Sequence, residues 1–179
     1  MNPPTRPAIQ LVLCVLFLAW TSSHATARVA PPAPDFALQN LNGEVVRLSS
    51  FRGHTVVLDF WASWCPPCVA QVPSMRRLTA KYKSQGVIVL DINVLDEQKV
   101  VQKFIAEHGH FGSDVLLTST DESTMSAFGV EQFPSTIIVD KRGRIVATFS
   151  GGAPDDFAKI DATVRRLISP SSAQRTAKN

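Results

Sequence analysis

Cysteine is scarce in this chain: three in 179 residues, at positions 14, 65 and 68. A scaffold stapled by disulfides needs four or more cysteines at wider spacing, so that class is excluded. A structural zinc site needs four ligands, and no second cysteine pair or nearby histidine pair completes one. Charge of one sign is not in excess either: 18 Lys and Arg stand against 15 Asp and Glu. The basic residues are scattered and no basic patch is interleaved with aromatics, which argues against a nucleic-acid partner. No internal repeat is visible. The apolar run Leu11–Trp20 is too short to span a bilayer comfortably, since a spanning helix takes about 20 residues.

What is present begins at the N-terminus. Residues 1–27 combine one early positive charge (Arg6), that short apolar run, and small residues ending in Ala25-Thr26-Ala27. This is the pattern of a secretory signal peptide; a retained N-terminal anchor is the alternative. Cys14 lies inside the apolar run, not after it, so it is not placed for lipid attachment and leaves with the signal. Residues 28–34 ("RVAPPAP") read as a proline-rich linker, extended and exposed. The exported chain then keeps two cysteines, Cys65 and Cys68.

From residue 35 to 168 the pattern is that of one α/β domain. Two short runs flank Asn42-Gly43, a hairpin signal. "HTVVLDFWA" reads as a buried central strand. A helix follows from the cysteines to Gly86, with Pro66 and Pro67 in its first turn and a kink expected at Pro73. "VIVLDINV" is a second buried strand, and the helix after it has acidic residues at its start and Gly109 at its end. A short extended piece, a short helix near Asp121–Phe128 and two strands about a turn at Asp140–Gly143 come next. The last helix carries Phe157, Ile160, Val164, Leu167 and Ile168 on one face. Residues 169–179 are a polar tail. Strands alternating with helices imply a mixed central sheet covered on both faces.

The remaining use of a lone C-x-x-C at a strand-to-helix turn is dithiol/disulfide exchange. A thiol attacks a disulfide as thiolate, and a helix N-terminus lowers its pKa through unpaired N–H groups and the helix dipole. Cys65 is expected at the cap with its sulfur reachable, and Cys68 one turn inside, shielded but close enough to bond it. The redox-active pair is the only cofactor implied.

"DFWASWCPPC" resembles the active-site strand and turn of thioredoxin-fold proteins. "APDFALQNLNGEVVRLSSFRG" before it and "GVEQFPSTIIVDKRGRIV" after it are similar to the flanks of the TlpA/ResA group, exported thiol-disulfide oxidoreductases. The likeness spans Ala33 to Leu167. It implies a thioredoxin-like fold with an N-terminal β-hairpin extension, in a monomer of the bacterial periplasm or the outer face of the cytoplasmic membrane. It implies Cys65 as the attacking and Cys68 as the resolving cysteine, and a cis peptide bond at Pro134. Such a bond exposes the backbone of Phe133 to a substrate strand, with Trp64 as an apolar flank; Trp61 is expected in the core or groove wall. Protein disulfides, such as those of apo-cytochrome c, are the implied substrates, and a membrane-embedded thiol transporter the implied electron donor.

One departure from the group concerns acid chemistry. Where these proteins usually carry a glutamate six residues after the first cysteine, this chain has Gln71. Thioredoxins proper carry an aspartate six residues before it, and here that residue is Asp59. Strand alternation puts Asp59 on the face of Val57 and Trp61, so it is expected to be buried, with a raised pKa suited to taking the proton of Cys68. The rival functions are a disulfide oxidase or isomerase on the same fold and a copper-binding chaperone. The latter lacks its three-residue cysteine spacing, and His54, His108 and His110 have no compelling placement. The P-x-x-x-T-x-x-C arrangement of peroxide reductases is absent, and no metal site is expected.

Overall fold

A computed structural model describes residues 30–109, 111–118 and 122–169. The signal segment, Cys14, His110, Asp121 and the tail beyond residue 169 lie outside the described residues. Seven strands form one mixed sheet: β1 Ala37–Asn40, β2 Val45–Arg47, β3 Thr55–Trp61, β4 Val87–Asn93, β5 Asp114–Leu117, β6 Ser135–Val139 and β7 Ile145–Ser150. Their spatial order is β2-β1-β5-β4-β3-β6-β7. The central β3, β4 and β5 are parallel, and the outer pairings are antiparallel. Four helices cover the sheet: α1 Pro66–Tyr82, α2 Gln98–His108, α3 Ser123–Phe128 and α4 Asp156–Ile168.

Burial sorts by face. Every residue of β3 is buried, as a strand covered on both sides requires. Val57 packs with Met75, Leu78 and Tyr82 of α1 and with Ile160 and Val164 of α4. Trp61 joins Val72 of α1 and Val101 and Phe104 of α2. On the opposite face Leu58 and Phe60 meet Phe36, Leu48 and Phe128. Thus α1, α2 and α4 cover one face, and α3 with the N-terminal segment covers the other.

The hairpin at Asn42-Gly43 is present, held by Asn40. Its side-chain oxygen accepts from the N–H groups of Asn42 and Glu44, and Gly43 adopts φ +81°, where glycine has no Cβ to oppose it. β1 adds this hairpin to the edge of β5. Helix α1 runs on through Pro73 to Tyr82, and the 3-10 turn Lys83–Gln85 that follows it closes at Gly86 in the left-handed region.

The proline-rich stretch differs from expectation. Pro31 and Pro32 are exposed, but the segment is docked: Pro32 bridges to Arg144, Ala33 N–H donates to the Gly143 carbonyl and Ile145 N–H to that of Pro31. Ala33 is buried in the core. The carbonyls of this stretch remain acceptors although its prolines donate nothing, so it lies along the β6–β7 turn as an edge.

Phe128 packs against Phe60 and Phe36 with tilted rings, centroids 5.8 and 6.2 Å away, on the face away from the cysteines. Phe128→Ala should lower the unfolding free energy by about 3–5 kcal/mol. Urea titration measures that loss, and disulfide exchange by the folded fraction should be unaltered.

Candidate active site

β3 ends at Trp61, the chain turns through Ala62–Trp64, and α1 starts at Pro66. Cys65 is the N-cap, with extended backbone (φ −98°, ψ 104°). Pro66 and Pro67 fill the first turn, where their missing N–H groups are not needed. That leaves the Cys68 N–H as the donor aimed at the cap, and Cys65 Sγ accepts it at 3.2 Å. Cys65 and Cys68 are joined in a disulfide. That N–H and the positive end of the helix dipole are the features by which a helix N-terminus stabilises a cap thiolate.

The expected contrast between an accessible Cys65 and a shielded Cys68 is not met in the oxidised form: they are 4% and 3% exposed. Both lie in the cluster of Val72, against which Phe133 packs. What is exposed is Trp64, at 60%, its ring edge-on to Phe133 with centroids 5.9 Å apart. The Phe133–Pro134 peptide is cis. The Pro134 carbonyl accepts from Gly151 N–H at 2.9 Å, and Gly152 (φ +67°) packs so close that a Cβ there would lie 3.1 Å from Pro134. The β7–α4 loop therefore supports this proline from below. Trp61 is a core residue against Phe104 and Phe111.

Asp59 is buried on the α1 side of β3, between the positions of Val57 and Trp61. Gln71 Nε2 donates to its Oδ1 at 3.0 Å and Thr136 Oγ1 at 2.9 Å. The helix position that lacks an acid is thus in direct contact with the strand position that has one. Gln71 lies one turn after Cys68, so this contact is beneath the resolving cysteine's face of α1. Burial pushes the Asp59 carboxyl up to about 7, with the Thr136 and Gln71 hydrogen bonds pulling the other way.

Two features escaped the sequence reading. Asp91 interrupts "VIVLDINV" as Asp59 interrupts "VVLDFW", the same signal of a lone acid in an apolar strand, and it pairs in register with Asp59 across β3–β4. Asp96 was read as one of the acidic residues at the start of α2. Instead its carboxylate accepts from Ser63 N–H at 2.8 Å, from Ser63 Oγ at 3.0 Å and from Asn93 Nδ2 at 2.8 Å. It clamps the turn that delivers Trp64 and Cys65, and the backbone pays for the bend at Leu95, with φ +66°.

His54 and His108 each lie 3.1 Å from a backbone carbonyl, of Gly86 and Phe104 respectively. Among the described residues no group of three or more His, Cys, Asp and Glu is placed to hold a metal. Nor is any described helix long and apolar enough to cross a membrane.

Comparison with known proteins agrees with this geometry. The Redoxin family matches residues 28–164. The thiol-disulfide oxidoreductase ResA of Geobacillus kaustophilus is 34% identical over 151 residues, covering 82% of this chain and 86% of its own length. ResA of Halalkalibacterium halodurans is 30% identical over 138 residues, 77% of each chain. Among solved structures, a putative thiol:disulfide interchange protein DsbE from Chlorobium tepidum superposes with a TM-score of 0.73 at 32% identity, covering 78% of this chain and 97% of that one. With a disulfide capping the helix that follows its central strand, this chain belongs to the Redoxin family, as a thioredoxin-like thiol-disulfide oxidoreductase of the ResA/TlpA type.

Proposed function

We propose that this protein is an exported dithiol reductase of protein disulfides, working in the bacterial periplasm or at the outer face of the cytoplasmic membrane. The observation that carries the reading is the Cys65–Cys68 pair at the N-terminus of α1, where Cys65 Sγ accepts the Cys68 N–H. The export signal in residues 1–27 and the likeness to ResA support the compartment.

The Cys65 thiolate attacks a substrate disulfide, forming a Cys65–substrate disulfide and releasing one substrate thiolate. Asp59, as carboxylate, takes the proton of Cys68. The Cys68 thiolate then attacks Cys65 Sγ, the Cys65–Cys68 bond forms, and the second substrate thiolate leaves. Two electrons pass to the substrate, and an external dithiol donor restores the pair; a membrane thiol transporter fits that role. Trp64, Phe133 and Pro134 form the surface against which an extended substrate segment adds by its backbone, the apolar rings contacting its side chains. Envelope proteins with a strained or exposed disulfide, apo-cytochrome c among them, are the substrate class. Direction is a matter of potential: a glutathione titration should place this pair nearer the about −270 mV of thioredoxin than the about −120 mV of a strong oxidant. A value at the oxidising end would make the protein an oxidase.

Cys68→Ser should accumulate a mixed disulfide on Cys65, seen as an added mass without reductant, whereas Cys65→Ser should show no insulin reduction. Since the acceptor must be ionised, the rate of mixed-disulfide resolution should rise with pH through about 7. Asp59→Asn should slow that step about a hundredfold at neutral pH and flatten its rise, measured by stopped-flow tryptophan fluorescence. Unchanged resolution from pH 6 to 9, about the span of thiol titration, would remove Asp59 from the mechanism.

A further inference from the structure

Asp91 is a buried acid with no part in the exchange of Cys65 and Cys68 with substrate. It is directly opposite Asp59 in the parallel β3–β4 pair, and adjacent strands are about 4.8 Å apart. Alternation places its side chain with Val87 and Val89, which pack on α1 in the same cluster as Val57. The two carboxyl groups are therefore neighbours on one face, both buried. Two neighbouring carboxylates away from water repel, which favours a proton on one of them.

Their polar surroundings differ. Asp59 has Gln71 and Thr136. Asp91 Oδ2 accepts from Ser113 Oγ, while Asp91 Oδ1 is buried and, among the described residues, has no hydrogen-bond partner. An unpartnered buried oxygen is costly as a carboxylate and tolerable as part of a neutral acid. Ser113 is half-buried and lines a surface cavity of about 370 Å³ together with Thr79, Lys83, Val89 and Asp114. Asp59, by contrast, is on a strand every residue of which is buried.

We propose that Asp91 is a second proton-holding group of this active site: Asp59 and Asp91 together carry one proton and one charge at neutral pH, and Ser113 joins the pair to solvent. This rests on Asp59 as the acceptor of the Cys68 proton. On resolution the proton leaves Cys68 sulfur and the pair passes from one proton to two. It returns to one by releasing a proton past Ser113 to water in the cavity, and no electrons move on the carboxyl groups. Burial and then the Asp59 charge hold the Asp91 carboxyl well above the usual range, with the Ser113 hydrogen bond opposing. Other titratable groups on the packed elements are differently engaged. Tyr82 gives its hydroxyl to Asp161, Arg76 Nη2 donates to the His108 carbonyl, and Lys83 and Asp114 stand on the cavity wall.

The test is a carbon-13 NMR titration of the aspartate carboxyls in the oxidised full chain, where no thiol titrates. The pair should lose one proton near pH 7 and the second only at distinctly higher pH. Asp91→Asn should abolish the upper step. Asp59→Asn should lower the Asp91 midpoint by at least about one pH unit, because the repelling charge is gone, and Ser113→Ala should raise it. Should Asp91→Asn fail to fold, the wild-type and Ser113→Ala titrations still decide. An Asp91 already ionised at pH 6, or one indifferent to Asp59→Asn, would overturn the inference even if Asp59→Asn slows turnover. Coupled titration with turnover unaltered in Asp59→Asn would leave the shared proton standing and remove only the base role.

Discussion

The structure depends on one strand being covered on both faces. All seven residues of β3 are buried, and that requires α1 to fold back along one face while α3 and the N-terminal segment close the other. The same constraint fixes where the helix begins. A strand that ends at Trp61 beneath a helix that must return over it has few residues to turn in, and Ala62–Trp64 with Cys65 as cap are those residues. The redox pair is where β3 hands its chain directly to the N-terminus of α1. Placement, dipole and the donated N–H are consequences of one packing requirement.

Covering β3 and β4 so completely makes their acids expensive. A carboxylate in such a place loses hydration, and Thr136 and Gln71 restore part of it for Asp59. Residues that keep the fold and residues that serve the chemistry therefore overlap on the α1 face: Met75 and Leu78 seal it, Gln71 reaches an acid from the same helix. On the other side of the turn, Asp96 holds Ser63 by two hydrogen bonds, so the loop bearing Trp64 is tied to β4 as well as to β3. The site is braced by both central strands.

Much of this was legible in the chain. The apolar runs of β3 and β4, the helical periodicity of α4, the punctuation by Gly86 and Gly109, and Asn42-Gly43 located the elements, because each is a local effect. Cys65, Cys68 and Asp59 stood out by residue type and position, and Pro134 through the resemblance to the TlpA/ResA group alone. What was not legible involves partners distant in sequence. Thr136 meets Asp59 across 77 positions, and strand order puts it there. Asp91 had the same signature as Asp59, but its register opposite Asp59 exists only once β3 and β4 pair. Asp96 looked like ordinary acid at a helix start, and its use depends on the return of Ser63 across 33 positions. The docking of Pro31–Ala33 was hidden because prolines signal linkers, while their carbonyls can still complete an edge.

That docking sets a polarity on the molecule. β3 runs toward the disulfide, and β6, antiparallel to it, starts beside Pro134 and runs away, pairing Val139 with Val56 at the far end. The β6–β7 turn to which Pro31 and Pro32 attach is therefore at the pole opposite the cysteines. Ala30, whose carbonyl accepts from Arg144 Nη1, is at that rear pole. An entry point so placed leaves the end that carries the disulfide and Trp64 clear of the chain's entry into the domain.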